Sequence, residues 1–111
     1  MDFKDIINSA ISTRDFFERF EEKIYGKKWD LNQIMLGLSV DVGDLIRLVQ
    51  EKKGARPKNT EDLDAKIAHE LCDILWVVLV LAKELDVDLT HEFPKNMLEL
   101  QAIIENKIND N

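Results

Sequence analysis

The stretch His69–Leu85, HELCDILWVVLVLAKEL, most constrains what this chain can fold into. From Ile74 to Ala82 no residue carries a charge or a hydroxyl. A helix through these residues is apolar on every side, so it has to be covered on more than one face. The same stretch opens with two acids three residues apart, Glu70 and Asp73. An upstream segment, LSVDVGDLIRLV, holds a second pair at the same spacing, Asp41 and Asp44.

The rest of the chain predicts helices around these two segments. No β-rich alternating run stands between turn signals, so no strand is expected. Phe3, Ile6, Ile7, Ala10, Phe16, Phe17, Phe20 and Ile24 recur at helical spacing over residues 2–25, with Ser12–Asp15 as a place where that helix could break or re-cap. Gly26 suits a left-handed stop. Asp30 suits the N-cap of a second helix over about 31–53, whose stripe is Leu31, Ile34, Met35, Leu38, Val42, Leu45, Ile46 and Val49. KKGARPKN, residues 52–59, is the clearest loop. Its four bases are expected mainly as a solvated helix end, and secondarily as phosphate contacts. Thr60 is expected to cap a third helix running to Leu85, with the stripe Leu63, Ile67, Leu71, Ile74, Leu75, Val78, Leu81, Ala82 and Leu85. Asp88 or Thr90 starts a last helix that tolerates Pro94 in its first turn. The tail from Asn106, and residues 110–111 above all, is expected to fray.

This predicts an all-α, four-to-five-helix bundle in one domain spanning residues 1–111, a length sufficient for a core. One chain of this size can hardly bury every face of the third helix. A homo-oligomer, dimer or dimer of dimers, is therefore expected, with Trp76 and Val80 in the interface. The formal charge of −7 and the lack of a basic-aromatic patch argue against nucleic-acid binding. The longest apolar run is far below the ~20 residues that span a bilayer. MDFKDIINSA lacks the apolar core of a signal peptide, so a cytoplasmic location is expected. Cys72, the single cysteine, is expected to be an inert core thiol.

Helical arithmetic connects the acids. Asp41 and Glu70 are offset from their stripes by about the same angle in the same sense, and so are Asp44 and Asp73. If the two helices pack antiparallel, all four carboxylates line one groove. Acids so placed repel each other and lose solvation, and a hard divalent cation removes both penalties. An oxygen-only donor set points to Mg²⁺, with Mn²⁺ as the alternative. A di-iron site is excluded, because it needs Glu-x-x-His pairs and neither His69 nor His91 follows a glutamate by three. His69 is expected on the helix surface. Gly43 beside the acids is expected to let another segment approach.

These motifs resemble the all-α nucleoside triphosphate pyrophosphohydrolases, the MazG-like group that includes the dCTP pyrophosphatases. That family's pattern is E-E-x-x-E followed on the next helix by E-x-x-D. The second part is intact as Glu70-Leu-Cys-Asp73. In the first, Asp41 and Asp44 replace two glutamates and Val40 stands where the first is expected. Trp29 resembles the family's tryptophan ahead of the helix, which helps shape a base pocket. Lys95 matches a lysine of the last helix. Glu99 stands for an asparagine there, and Glu51 for an aromatic after the first motif.

The resemblance covers about residues 27–97. It implies a dimeric or tetrameric helical bundle that hydrolyses a nucleoside triphosphate to the monophosphate and pyrophosphate with Mg²⁺. Asp41, Asp44, Glu70 and Asp73 would hold metal, with Asp41 and Glu70 catalytic. Trp29, joined by Phe20 or Tyr25, would stack on the base, and Lys95, Lys52, Arg56 and Lys58 would contact phosphates. The alternatives are a relative without turnover that binds nucleotide or a protein partner, and hydrolysis of phosphoribosyl-ATP on the same scaffold.

Overall fold

The computed structural model describes residues 1–110, and these form four helices with no strand among them: α1 (Phe3–Tyr25), α2 (Leu31–Lys52), α3 (Leu63–Glu84) and α4 (Leu89–Asn109). The expected all-α bundle is what the chain forms. No helix among the described residues is long and apolar enough to cross a membrane.

Local chemistry sets most boundaries. Asp2 and Asp5 form a reciprocal capping box at the start of α1, and Asp30 and Gln33 do the same for α2. Gly26 ends α1 at φ 77°, a conformation glycine adopts without the Cβ penalty. Ser12–Asp15 does not break α1. The Thr13 hydroxyl donates to the Ser9 carbonyl at 2.8 Å, so it is satisfied inside the helix.

Thr60 does not cap α3. The helix starts three residues later, after Asp62 in a left-handed conformation at φ 51°. Thr60 serves Glu51 instead, which is buried at the end of α2. Glu51 accepts from the Asn59 and Thr60 amides at 3.1 and 3.0 Å and from the Thr60 hydroxyl at 2.8 Å. One carboxylate thus ties the whole α2–α3 loop to the helix before it. Asp88 caps α4, which places Pro94 in the second turn, past the first turn where its missing N–H would be harmless. The helix nonetheless continues through Asn109. Of the expected frayed tail, Asp110 closes the helix and residue 111 lies outside the described residues.

Helices α2 and α3 form an antiparallel hairpin, and α1 lies against α3. The hairpin does not close through the centres of the two apolar stripes, as the periodicity suggested. The buried apolar positions of the hairpin are Leu48 on α2 and Val77, Leu79 and Val80 on α3. Met35, Val42, Ile46 and Val49 stay exposed, as do Leu71, Leu75 and Val78. Each helix is rotated so that its acidic flank turns inward and half of its stripe turns out.

The face assigned to a second subunit is covered within the chain. Val80 is buried, and the Trp76 indole N–H donates to the Ala10 carbonyl at 2.9 Å, its ring 5.1 Å from that of Phe17. Helix α1 supplies this cover, so the placement of Trp76 and Val80 in an oligomer interface is corrected. Cys72 is exposed and not a core thiol. Nothing approaches Gly43: a Cβ there would meet no atom within 4 Å.

A second buried carboxylate closes the α1–α2 turn. Glu21, 2% exposed, accepts from Arg14 at 2.6 and 3.1 Å and from the Trp29 amide at 2.7 Å, while Arg14 also donates to the Trp29 carbonyl at 3.3 Å. Burial alone would raise the Glu21 pKa. The Arg14 guanidinium and the Trp29 amide outweigh it and hold the pKa below its ordinary value. Removing one partner of a buried pair strands the other charge, which costs about 3 kcal/mol. Glu21→Ala is therefore expected to lower stability by about that amount, read as a drop in the urea midpoint with the slope unchanged.

Candidate metal centre

The inward rotation of α2 and α3 brings Asp41, Glu70 and Asp73 together. One carboxylate oxygen of each lies within 4.8 Å of the others, and all three residues are half-buried. Two causes place them there. The i,i+3 spacing puts Glu70 and Asp73 on one face of α3, and the antiparallel pairing lays Asp41 of α2 beside that face. Asp44, expected as a fourth ligand, is not part of the cluster, though its charge is felt by both Asp41 and Glu70.

The electrostatics are those of carboxylates with too few donors. Burial raises the Asp41 pKa, and the charges of Asp73 and Asp44 raise it further. Burial also raises that of Glu70, helped by Asp41, Asp44 and Asp73. The Oε2 atom of Glu70 is buried and accepts no hydrogen bond. A buried acceptor without a partner costs about 1–3 kcal/mol, and a cation at this point would satisfy it. Hard oxygen donors from two rigid helices suit Mg²⁺ or Mn²⁺ in their chemistry. His69 is exposed, as expected. Its Nε2 lies 3.1 Å from Asp73, so it acts on the cluster from the rim.

Asp41 also lines a cavity enclosed by α1, α2 and α3, and Trp29 lines the same cavity. The Trp29 ring is stacked on that of Tyr25 at 6.4 Å, and Phe20 meets Tyr25 edge-on at 6.5 Å. Trp29 and Asp41, read separately from sequence, therefore line one cavity, and Phe20 and Tyr25 do not line it. Val40 does not line it either. It lines an outer groove that it shares with Tyr25, Trp29 and Leu36. Lys52 is paired with Asp64, and the Arg56 Nε–H donates to Gln50, which supports the structural reading of the basic loop. Lys58 and Lys95 are exposed, the latter on α4. Arg14, Glu21 and Gln33 also line the cavity, and none was a site candidate from sequence. Their signal was weak, since charged residues on an amphipathic helix ordinarily face water.

No family model matches the chain, and no solved structure matches it. Over 56 residues it is 34% identical to the uncharacterized protein YpjD of Bacillus subtilis (strain 168). The matched segment is 50% of this chain and 50% of that relative, so the chain spans about half the length of the curated relative it matches.

The sign of the pH dependence follows from the raised pKa values. A carboxyl whose pKa is higher in the folded state binds its proton more tightly there. Its charge therefore lowers stability as pH rises above the ordinary carboxylate range. In metal-free buffer near pH 8, Glu70→Gln is expected to raise the melting temperature. That gain should shrink as pH falls toward 4.5, the ordinary Glu value. Thermal melts of the two proteins across this range check it.

Proposed function

We propose that the protein is a Mg²⁺-dependent nucleoside triphosphate pyrophosphohydrolase that releases pyrophosphate and leaves the monophosphate. One observation carries this reading. Three carboxylates of two antiparallel helices converge with one oxygen unpartnered, and one of the three, Asp41, lines a cavity that also holds aromatic rings. The intact E-x-x-D motif at Glu70 and Asp73 supports it from the sequence side.

Asp41, Glu70 and Asp73 would hold the ion. Mg²⁺ held there would offset triphosphate charge and lower the pKa of a bound water. Asp44, outside the cluster, would be the carboxylate left to take the proton of that water as it attacks the α-phosphorus and pyrophosphate leaves. Trp29, backed by Tyr25, offers a face for the base. Lys58 and Lys95, which carry no ion pair among the described residues, remain for the phosphates. Glu70→Gln removes a charged oxygen ligand and is expected to lower Mg²⁺-dependent pyrophosphate release at least about 100-fold, in the range of a lost transition-state contact. A wild-type protein that binds nucleotide with Mg²⁺ and releases no pyrophosphate would instead be the non-catalytic relative.

We also propose that the working form is a homo-oligomer, on a face different from the one expected. The accessible surface is 8555 Å², against about 6300 Å² for a compact monomer of this mass. The radius of gyration is 17.9 Å, against about 13 Å for a compact chain of this length. The excess comes from α4, which has no buried residue and touches the other helices only marginally, and from the uncovered α2–α3 stripe. An excess of about 2200 Å² per chain is the scale of an obligate interface. A second copy suits it, because α4 presents Leu100, Ile104 and Ile108 while the hairpin presents Val42, Ile46, Leu71 and Leu75. Light scattering at micromolar concentration is expected to give two or four times the 12.9 kDa chain mass, and Leu75→Asp to lower it. A wild-type monomer would sink this assembly.

A further inference from the structure

Asp73 stands between two spaces. On one side it meets Asp41 and Glu70 at the α2–α3 seam. On the other it lines a groove between α1 and α3, together with His69, Cys72 and Trp76. The terminal torsion of an aspartate is broad and roughly two-fold, so its own rotamer does not decide which way the carboxylate faces. A neighbouring donor has to decide it.

His69 is that donor. Its Nε2 lies 3.1 Å from Asp73 Oδ2. The contact follows from the helix. Residues four apart share a face, and side chains lean toward the N-terminus, so Asp73 leans back over the turn that carries His69. Two other donors of the groove are engaged elsewhere. The Thr13 hydroxyl donates to the Ser9 carbonyl at 2.8 Å, and the Trp76 indole N–H donates to the Ala10 carbonyl at 2.9 Å. Asp41 has no counterpart to His69, because the residue four before it is Gly37, which has no side chain to donate. The His69 side chain is 71% exposed and stands outside the group of three acids, so it meets that group only through Asp73.

We infer that His69 is a positioning residue for the metal centre: by engaging Asp73 Oδ2 from the groove side, it holds the carboxylate in place and leaves the other oxygen free for the cation. This rests on the reading of Asp41, Glu70 and Asp73 as cation ligands. Loss of a group that fixes a ligand from behind typically weakens metal affinity about 10- to 100-fold. The imidazole is mostly in water, so the lower end of that range is expected.

The test reads binding and needs no turnover. Mn²⁺ is titrated into the full chain and its free fraction followed by electron paramagnetic resonance, for the wild type, His69→Leu and His69→Gln. Leucine favours the helix and removes the donor, whereas glutamine restores a neutral N–H. His69→Leu is expected to bind Mn²⁺ about tenfold more weakly, and His69→Gln to stay within about twofold of the wild type. The metal-free melting temperatures of the three should agree, since an exposed pair contributes little to stability. Equal affinity in His69→Leu would overturn the inference and leave the metal centre standing. A His69→Gln protein as weak as His69→Leu would overturn it too, because donation would then not be what matters. A wild type that binds neither Mn²⁺ nor Mg²⁺ would overturn the metal centre and His69's role together. In turnover, His69→Leu is expected to need about tenfold more Mg²⁺ for half its maximal rate and to keep that maximal rate at saturating Mg²⁺. An unchanged Mg²⁺ requirement would again overturn the inference.

Discussion

The structure depends on how α2 and α3 meet. Their contact is made along the flank that carries Asp41, Glu70 and Asp73, so the hairpin closes against mutual repulsion of its own carboxylates. Packing through the apolar stripes would have buried Val42, Ile46, Leu71 and Leu75 and spared the acids. The observed rotation does the reverse. It is tolerable because α1 covers the other side of α3, where Val77, Leu79 and Val80 form the core with Ala10. The repulsion is a local cost that the surrounding packing sustains, the usual arrangement where a site is held ready for a ligand.

That rotation has a second consequence. Turning the acids inward turns half of each stripe outward, and the helical period leaves no alternative. An acidic seam and an uncovered apolar face are therefore two results of one geometric choice. The same rotation leaves an unpartnered carboxylate oxygen on one side and exposed apolar side chains on the other. Helix α4 stands away from the hairpin instead of folding onto it, which explains why so long a radius of gyration accompanies so few buried side chains.

Much of this was legible in the sequence. Helix positions, the Asp30 and Gly26 caps, and the convergence of Asp41 with Glu70 and Asp73 follow from period and spacing alone. What periodicity leaves open is rotation about the helix axis. Periodicity locates a stripe on a helix without saying which edge of it faces a neighbour, so it does not reveal that α1 covers Trp76 and Val80. Arithmetic on ideal helices treats Asp44 as the equal of Asp73, yet Asp44 stands outside the cluster of Asp41, Glu70 and Asp73. Thr60 looked like a cap because its chemistry suits one. Glu51, nine residues earlier, competes for the same amide and hydroxyl. Glu21 and Arg14 gave no signal, since a buried ion pair and a solvated one have the same residue types.

Carboxylates in this chain divide by what surrounds them. Glu21, Glu51 and Asp88 each gather N–H or O–H donors, and each is held below its ordinary pKa. For Glu51 and Asp88 a threonine hydroxyl leads those donors, and for Glu21 Arg14 overcomes the effect of burial. These three fasten a turn or start a helix, and their work is complete within the chain. Asp41 and Glu70 face burial and other acids, and both are pushed up. Glu21 and Glu51 are buried more deeply than the half-buried Asp41 and Glu70, so burial alone does not set the direction and the missing donors decide it. A fold that satisfies Glu51 four ways had the means to satisfy Glu70. Among the described residues, Glu70 Oε2 is the buried side-chain acceptor that no donor of the chain reaches.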